Sequence, residues 1–122
     1  MKIYIPHSSS FNYREELYAP VRSSKLNGQY EIFLPHEHGL SDTQSLIQDM
    51  DLIVAEVSYP STGLGIELGW ANATKKPIVA ICRMGQAPSS SIKMIAPILE
   101  YSVYDLEKVL GEAIALGEAI RR

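Results

Sequence analysis

Cysteine is almost absent from this 122-residue chain. The single one, Cys82, excludes an intrachain disulfide and fits a reducing compartment, so a cytoplasmic location is expected. It lies in the apolar run 77–82 and reads as a small buried hydrophobe rather than a nucleophile. Long hydrophobic runs are also lacking. No stretch approaches the ~18 consecutive apolar residues of a membrane span, and no membrane partner is expected. Residues 1–6 are too short and too β-like to read as a secretory leader. Basic clusters are missing as well. Eleven Lys and Arg stand against 14 Asp and Glu, giving a net charge of -3. The only basic run is the terminal Arg121-Arg122 pair, and no nucleic-acid partner is expected without a basic stripe. A small anion stays admissible, because backbone amides and hydroxyls can hold one phosphate. Internal repeats, low-complexity tracts and linkers are absent too. One domain over 1–122 is the expectation.

What is present is an alternation of short apolar runs with helical patterns. Residues 2–6 read as a first strand, closed by Pro6. Residues 11–26 read as a helix with Leu17, Val21 and the Tyr18 side on one face. Pro20 predicts a kink or a two-piece helix there. Residues 30–34 form a second strand between the Asn27-Gly28 turn signal and Pro35. A helix over 41–50 follows, with Ser41 or Asp42 as N-cap. Then come a third strand over 51–58, a helix over 63–75 and a fourth strand over 77–83. A short helix over 88–99, a fifth strand over 101–104 and a final amphipathic helix over 106–121 complete the pattern.

Strands alternating with helices predict βαβ units and a parallel sheet. The third and fourth strands are nearly continuous in apolar residues, as strands covered on both faces are. The expected architecture is a flavodoxin-like (Rossmann-like) three-layer α/β sandwich. Its five parallel strands take the order 2-1-3-4-5, with the topological switch between the first and third strands. Ligands of such sheets bind beyond the carboxyl ends of the strands at that switch. The segments after Pro6, Val57 and Arg83 are therefore the ones to read for chemistry.

The most informative stretch is 58–71, which follows the third strand: Ser-Tyr-Pro-Ser-Thr-Gly-Leu-Gly-Ile-Glu-Leu-Gly-Trp-Ala. A strand runs into Pro60-Ser61-Thr62, then a Gly-x-Gly turn, then a helix. Gly63 and Gly65 let the backbone approach a ligand or take positive φ. The helix N-terminus offers unpaired N–H groups, and Ser61 and Thr62 offer hydroxyls. This is a cradle for one phosphate or a sugar. Glu67 lies in the first turn or so, where the helix dipole favours its ionised form. An ionised carboxylate at a crevice is a competent nucleophile toward an electrophilic sugar carbon. The bland alternative is an ordinary first-turn glutamate.

The run Gly63-Leu64-Gly65-Ile66-Glu67-Leu68-Gly69-Trp70-Ala71 resembles the signature of nucleoside 2-deoxyribosyltransferases and of the related 2'-deoxynucleoside 5'-monophosphate N-glycosidases. The preceding Val54-Ala55-Glu56-Val57-Ser58 with Pro60-Ser61 resembles the glycosidase branch more closely. The register runs without gaps from about Asp51 to Ser91 and more loosely beyond. The resemblance implies cleavage or transfer at the N-glycosidic bond of a 2'-deoxynucleoside or its 5'-monophosphate. It implies Glu67 as the nucleophile that forms a covalent deoxyribosyl intermediate, Tyr4 beside it, and Ser61 on the 5'-phosphate. It also implies at least a homodimer, in which Ser91 is presented to the neighbouring subunit's phosphate. Ser8 matches a serine of the glycosidases' first phosphate loop.

The chain departs from the pattern in that first loop. The glycine and arginine of the loop are replaced by His7 and Ser10, leaving His7, Ser9, Ser10 and Arg14 as other donors. The second departure is the family's acid at the start of the second helix. Thr43 stands in its register, Asp42 is the adjacent candidate, and Asp49 is a remoter one. His36 and His38 form a His-x-His pair, but no Cys or third His sits nearby to complete a zinc site. They read as a crevice rim or as contacts to the base. No metal or organic cofactor is expected. The partner expected is a small deoxynucleoside or deoxynucleotide. The competing class is a non-catalytic nucleotide-binding or sensing module on the same fold, for which the missing acid and arginine speak.

Overall fold

The computed structural model describes residues 1–37 and 42–121. Its core is a five-stranded sheet in the order β2-β1-β3-β4-β5, with every pairing parallel. The strands are β1 (Lys2–Tyr4), β2 (Glu31–Phe33), β3 (Leu52–Glu56), β4 (Ile78–Arg83) and β5 (Ile98–Tyr101). This is the architecture expected from the alternation of patterns. The switch falls between β1 and β3, where Ile3 pairs with Leu52 and Tyr4 with Ile53.

Successive side chains of a strand point to opposite faces, and two cores result. Ile3, Val54, Val79, Ile81 and Tyr101 face Leu17, Val21, Leu110 and Ile114. Tyr4, Ile53, Ala55, Ala80 and Cys82 face Ile47, Leu64, Leu68 and Ala71. Cys82 is a buried free thiol, and burial pushes its pKa up, in keeping with an inert packing residue. The helix α5 (Leu106–Arg121) covers the first face over β3, β4 and β5. The helices α3 (Thr43–Gln48) and α4 (Thr62–Ala73) pack together on the second.

The segment around Pro20 is in pieces, as its proline predicts. A π-helical turn, Arg14–Tyr18, runs into α1 (Ala19–Ser23), where Pro20 occupies the first turn. A separate short helix, α2 (Leu26–Gln29), follows. Pro is tolerated in a first turn because no N–H is needed there. Two expectations are corrected. The segment 88–99 is not one helix: only Ser90–Met94 forms a short 3₁₀ turn, and β5 begins at Ile98. The fifth strand therefore ends at Tyr101 instead of starting there. Ile98-Leu99-Glu100-Tyr101 pairs with β4 from Ala80 to Arg83, whereas 102–105 turn into α5. Pairing with β4 outweighed the local helical pattern. Among the described residues, no helix is long and apolar enough to cross a membrane.

Candidate active site

Tyr4 ends β1 and is buried, with its side chain on the α3/α4 face. Its hydroxyl donates a hydrogen bond to Glu67 Oε2. Burial and the Glu67 carboxylate push the Tyr4 phenol far above its ordinary range, so it stays protonated and serves as a donor. Glu67 is half-buried in the second turn of α4. Burial raises its pKa, and the Tyr4 hydrogen bond opposes the rise. The pair stands at the carboxyl end of β1, beside the switch.

The start of α4 follows from its sequence. Pro60 and an extended Ser61 lead from the turn after β3 into the helix, and Ser61 Oγ accepts the Leu64 N–H at 3.2 Å as the N-cap. The expected Gly-x-Gly turn is not a turn. The helix begins at Thr62, so Gly63 and Gly65 lie inside it, and neither has positive φ. A Cβ built on Gly63, Gly65 or Gly69 would meet nothing within 4 Å. The chain's own packing therefore does not require these glycines. They weaken the helix and leave its backbone open to whatever lies outside it.

Ser61, Gly65 and Ser91 are brought around one cavity of about 600 Å³, with Leu64, Leu68 and Ile92 forming its apolar wall. That cavity lies between α4 and the Ser90–Met94 turn, and neither Glu67 nor Tyr4 lines it. Trp70 is half-buried and packs against the core that contains Tyr4.

The loop after β1 is built differently from the glycine-arginine loop it resembles. His7 is buried and bridges Glu56 of β3 in parallel fashion. Its Nδ1 lies 2.7 Å from the Ser8 carbonyl and its Nε2 lies 2.6 Å from the Tyr18 hydroxyl. The Tyr18 oxygen accepts the His36 N–H at 3.0 Å. Nδ1–H donating to the carbonyl and Tyr18 donating to Nε2 satisfy every group with a neutral ring. Burial pushes the His7 pKa down accordingly, and burial raises that of Tyr18 to about 12. Phe11, Tyr13, Tyr18 and His36 pack around the His7 ring, and Tyr59 stacks on Phe11 at 5.2 Å between centroids. This aromatic cluster went unread in the sequence, because its members are scattered over three segments. Ser8 is buried and its Oγ lies 2.7 Å from Ser10 Oγ, while Ser10 N–H also donates to it. His7 and Ser8 therefore shape the loop from inside.

Asp42 is the N-cap of α3. Oδ1 accepts the Ser45 N–H at 3.1 Å and Oδ2 accepts the Ser45 hydroxyl at 2.7 Å. These bonds hold its carboxyl below the usual range. Thr43 is half-buried at the first position of the helix. Asp49 ends the same helix, and its carboxylate lies 3.5 Å from Lys2 Nζ, at the far end of β1 from Tyr4. His36 is exposed at the edge of the aromatic cluster. His38 and the alternative cap Ser41 lie outside the described residues. Among the described residues, no group of three or more His, Cys, Asp or Glu is arranged to hold a metal ion.

A second polar group was missed. Glu56, the last residue of β3, is fully buried with Ser58 and Tyr101. The visible signal was a lone glutamate in an otherwise apolar strand.

The comparisons with known proteins bear out the resemblance. Over 60 residues the chain is 40% identical to the Syntrophotalea carbinolica protein named "Putative 2'-deoxynucleoside 5'-phosphate N-hydrolase 1", a match covering 48% of this chain and 42% of that protein. Over 72 residues it is 40% identical to the Homo sapiens 5-hydroxymethyl-dUMP N-hydrolase, covering 57% and 40%. The matched part is thus about two fifths of these relatives' length. No protein-family model matches the chain. Among solved structures, the Clostridium botulinum CMP N-glycosidase BcmB superposes with a TM-score of 0.65 at 17% identity, over 91% of this chain and 99% of that one, and so shares its fold.

Proposed function

We propose that this chain is an N-glycosidase of the nucleoside deoxyribosyltransferase family that hydrolyses 2'-deoxynucleoside 5'-monophosphates. The single observation that carries the reading is the Tyr4–Glu67 hydrogen bond beside the sheet's switch point. The names of the relatives that match the chain favour a nucleotide substrate, and favour water over a second base as acceptor.

In the proposed reaction, ionised Glu67 attacks C1' on the face opposite the base. The C1'–N bond breaks through an oxocarbenium-like transition state, and its electron pair leaves with the base. An ester between Glu67 and C1' results. Water then attacks C1', its proton passing through solvent to the released base, which restores the carboxylate and frees deoxyribose 5-phosphate with retained configuration. Tyr4, held protonated, orients Glu67 and supports its negative charge. The absence of a 2'-hydroxyl eases the build-up of positive charge at C1'. The open N-terminal turn of α4, with Ser61, Gly63 and Gly65, receives the phosphate. Ser91 serves a neighbouring copy across a symmetric dimer, and light scattering reads that assembly. Base release from a panel of deoxynucleoside monophosphates and deoxynucleosides tests the activity.

One observation favours a second reading. Both oxygens of Asp42 are engaged by Ser45, so this carboxylate caps a helix and has no proton to give a departing base. A nucleotide-sensing module needs no such acid. It predicts a nucleotide-induced rise in melting temperature without base release.

A further inference from the structure

The buried carboxylate of Glu56 sits where β3 stops being a strand. Its backbone N–H still pairs with Pro6 at 2.9 Å, and the next residue, Val57, still donates to Ile81. Then the ladder changes hands. The Ser58 N–H donates to Glu56 Oε1 at 2.8 Å instead of to a neighbouring strand. The Arg83 N–H, on β4, donates to Ser58 Oγ at 2.8 Å instead of to a backbone carbonyl. Because that oxygen accepts from Arg83, its own hydrogen points to Glu56 Oε2, 2.8 Å away. The Tyr101 hydroxyl of β5 donates to the same Oε2. Three donors from two segments thus converge on one carboxylate that is 1% exposed.

Burying a carboxylate is costly unless it is fully hydrogen-bonded, and an apolar residue would serve strand packing at less cost. Glu56 is placed for something other than packing. It ends the strand by substituting side-chain acceptors for backbone ones, five residues before Ser61 caps α4. Arg83 braces the same corner, with Nη1 lying 2.5 Å from Glu16 Oε1 of the first helical segment.

We propose that Glu56 is a positioning residue: its carboxylate fixes the turn from Val57 to Ser61 and thereby the aim of Ser61 and the first N–H groups of α4 at the 5'-phosphate. This rests on the reading that this turn receives the phosphate. Glu67 is held separately, by its helix and by Tyr4. Glu56 therefore governs phosphate recognition, with the sugar and base little affected.

The test is calorimetric binding of 2'-deoxyuridine 5'-monophosphate and of 2'-deoxyuridine to protein carrying Glu67→Gln, which does not consume them. Adding Glu56→Met, apolar and similar in volume, weakens the monophosphate about tenfold and leaves the nucleoside within about twofold. Glu56→Gln brings the monophosphate back to within about threefold of the parent, because the amide oxygen still takes the Ser58 N–H. Should the Met variant fail to fold, Ser58→Ala replaces it, with the same selectivity and a loss of about threefold. A merely structural glutamate would lower the melting temperature and weaken both ligands alike. Equal weakening, unchanged monophosphate affinity, no recovery with Gln, or a parent that binds no monophosphate overturns the proposal. If the wild type releases no base yet the selective weakening appears, the inference stands and the hydrolase reading falls. If base is released and the variants bind the monophosphate as tightly as the parent, the reverse holds.

Discussion

Tyr4 and Glu67 stand 63 positions apart in the chain and share a hydrogen bond across the switch between β1 and β3. The bond lowers a Glu67 pKa that burial raises. Removing the donor leaves the burial effect unopposed, so the Glu67 pKa rises further in Tyr4→Phe. If ionised Glu67 is the nucleophile, activity falls as pH drops through that pKa. The acid limb of the kcat profile therefore moves to higher pH in Tyr4→Phe, and kcat at neutral pH drops about tenfold or more. An acid limb that stays in place would separate Tyr4 from Glu67 functionally.

Gly65 offers a contrast between stability and binding. A Cβ there meets nothing within 4 Å, so Ala fits without strain. Ala is favoured over Gly in a helix by about 1 kcal/mol. Gly65→Ala is expected to raise the melting temperature while raising KM for a deoxynucleoside monophosphate. Stabilisation without any change in KM would mean that the open helix backbone is not a ligand surface.

His7 gives the fold a pH dependence of defined sign. Its folded-state pKa is depressed by burial, so the unfolded chain binds the proton more readily. Its contribution is present above the unfolded value of ~6.5 and is lost as pH falls through the lower folded value. In His7→Phe, the melting temperature at about pH 7.5 drops, because the Tyr18 hydroxyl and Ser8 carbonyl lose a partner. Its further decline toward about pH 5 is shallower than in the wild type. Parallel melting curves against pH would contradict this.

The sheet order was legible because β3 and β4 are apolar on both faces and are separated by a helix with clear limits. The fifth strand was misplaced because Ile98-Leu99-Glu100-Tyr101 carries no pattern that separates an edge strand from a helix end. What decides it is pairing with Ala80–Arg83, a long-range contact. Glu67 and Tyr4 could be singled out because a motif and a strand end mark them. The role of Asp42 as a cap was readable from its position. The bonds to Ser45 that tie up both its oxygens needed coordinates. The His7 cluster and the Glu56 network draw on residues from several segments, and no local pattern announces either.

Trapping at Glu67 tests the central claim most directly. Incubation with a 2'-fluoro-substituted 2'-deoxynucleoside 5'-monophosphate slows the second step and lets the sugar ester accumulate. Peptide mass spectrometry should then place a fluorodeoxyribosyl phosphate adduct on Glu67, absent from Glu67→Gln, which also releases no base. That variant is expected to keep its fold. Because burial raises the Glu67 pKa, its ionised form destabilises the folded chain at neutral pH, and the neutral amide leaves the melting temperature equal or higher. Undiminished base release by Glu67→Gln, or an adduct on any other residue, would contradict the account.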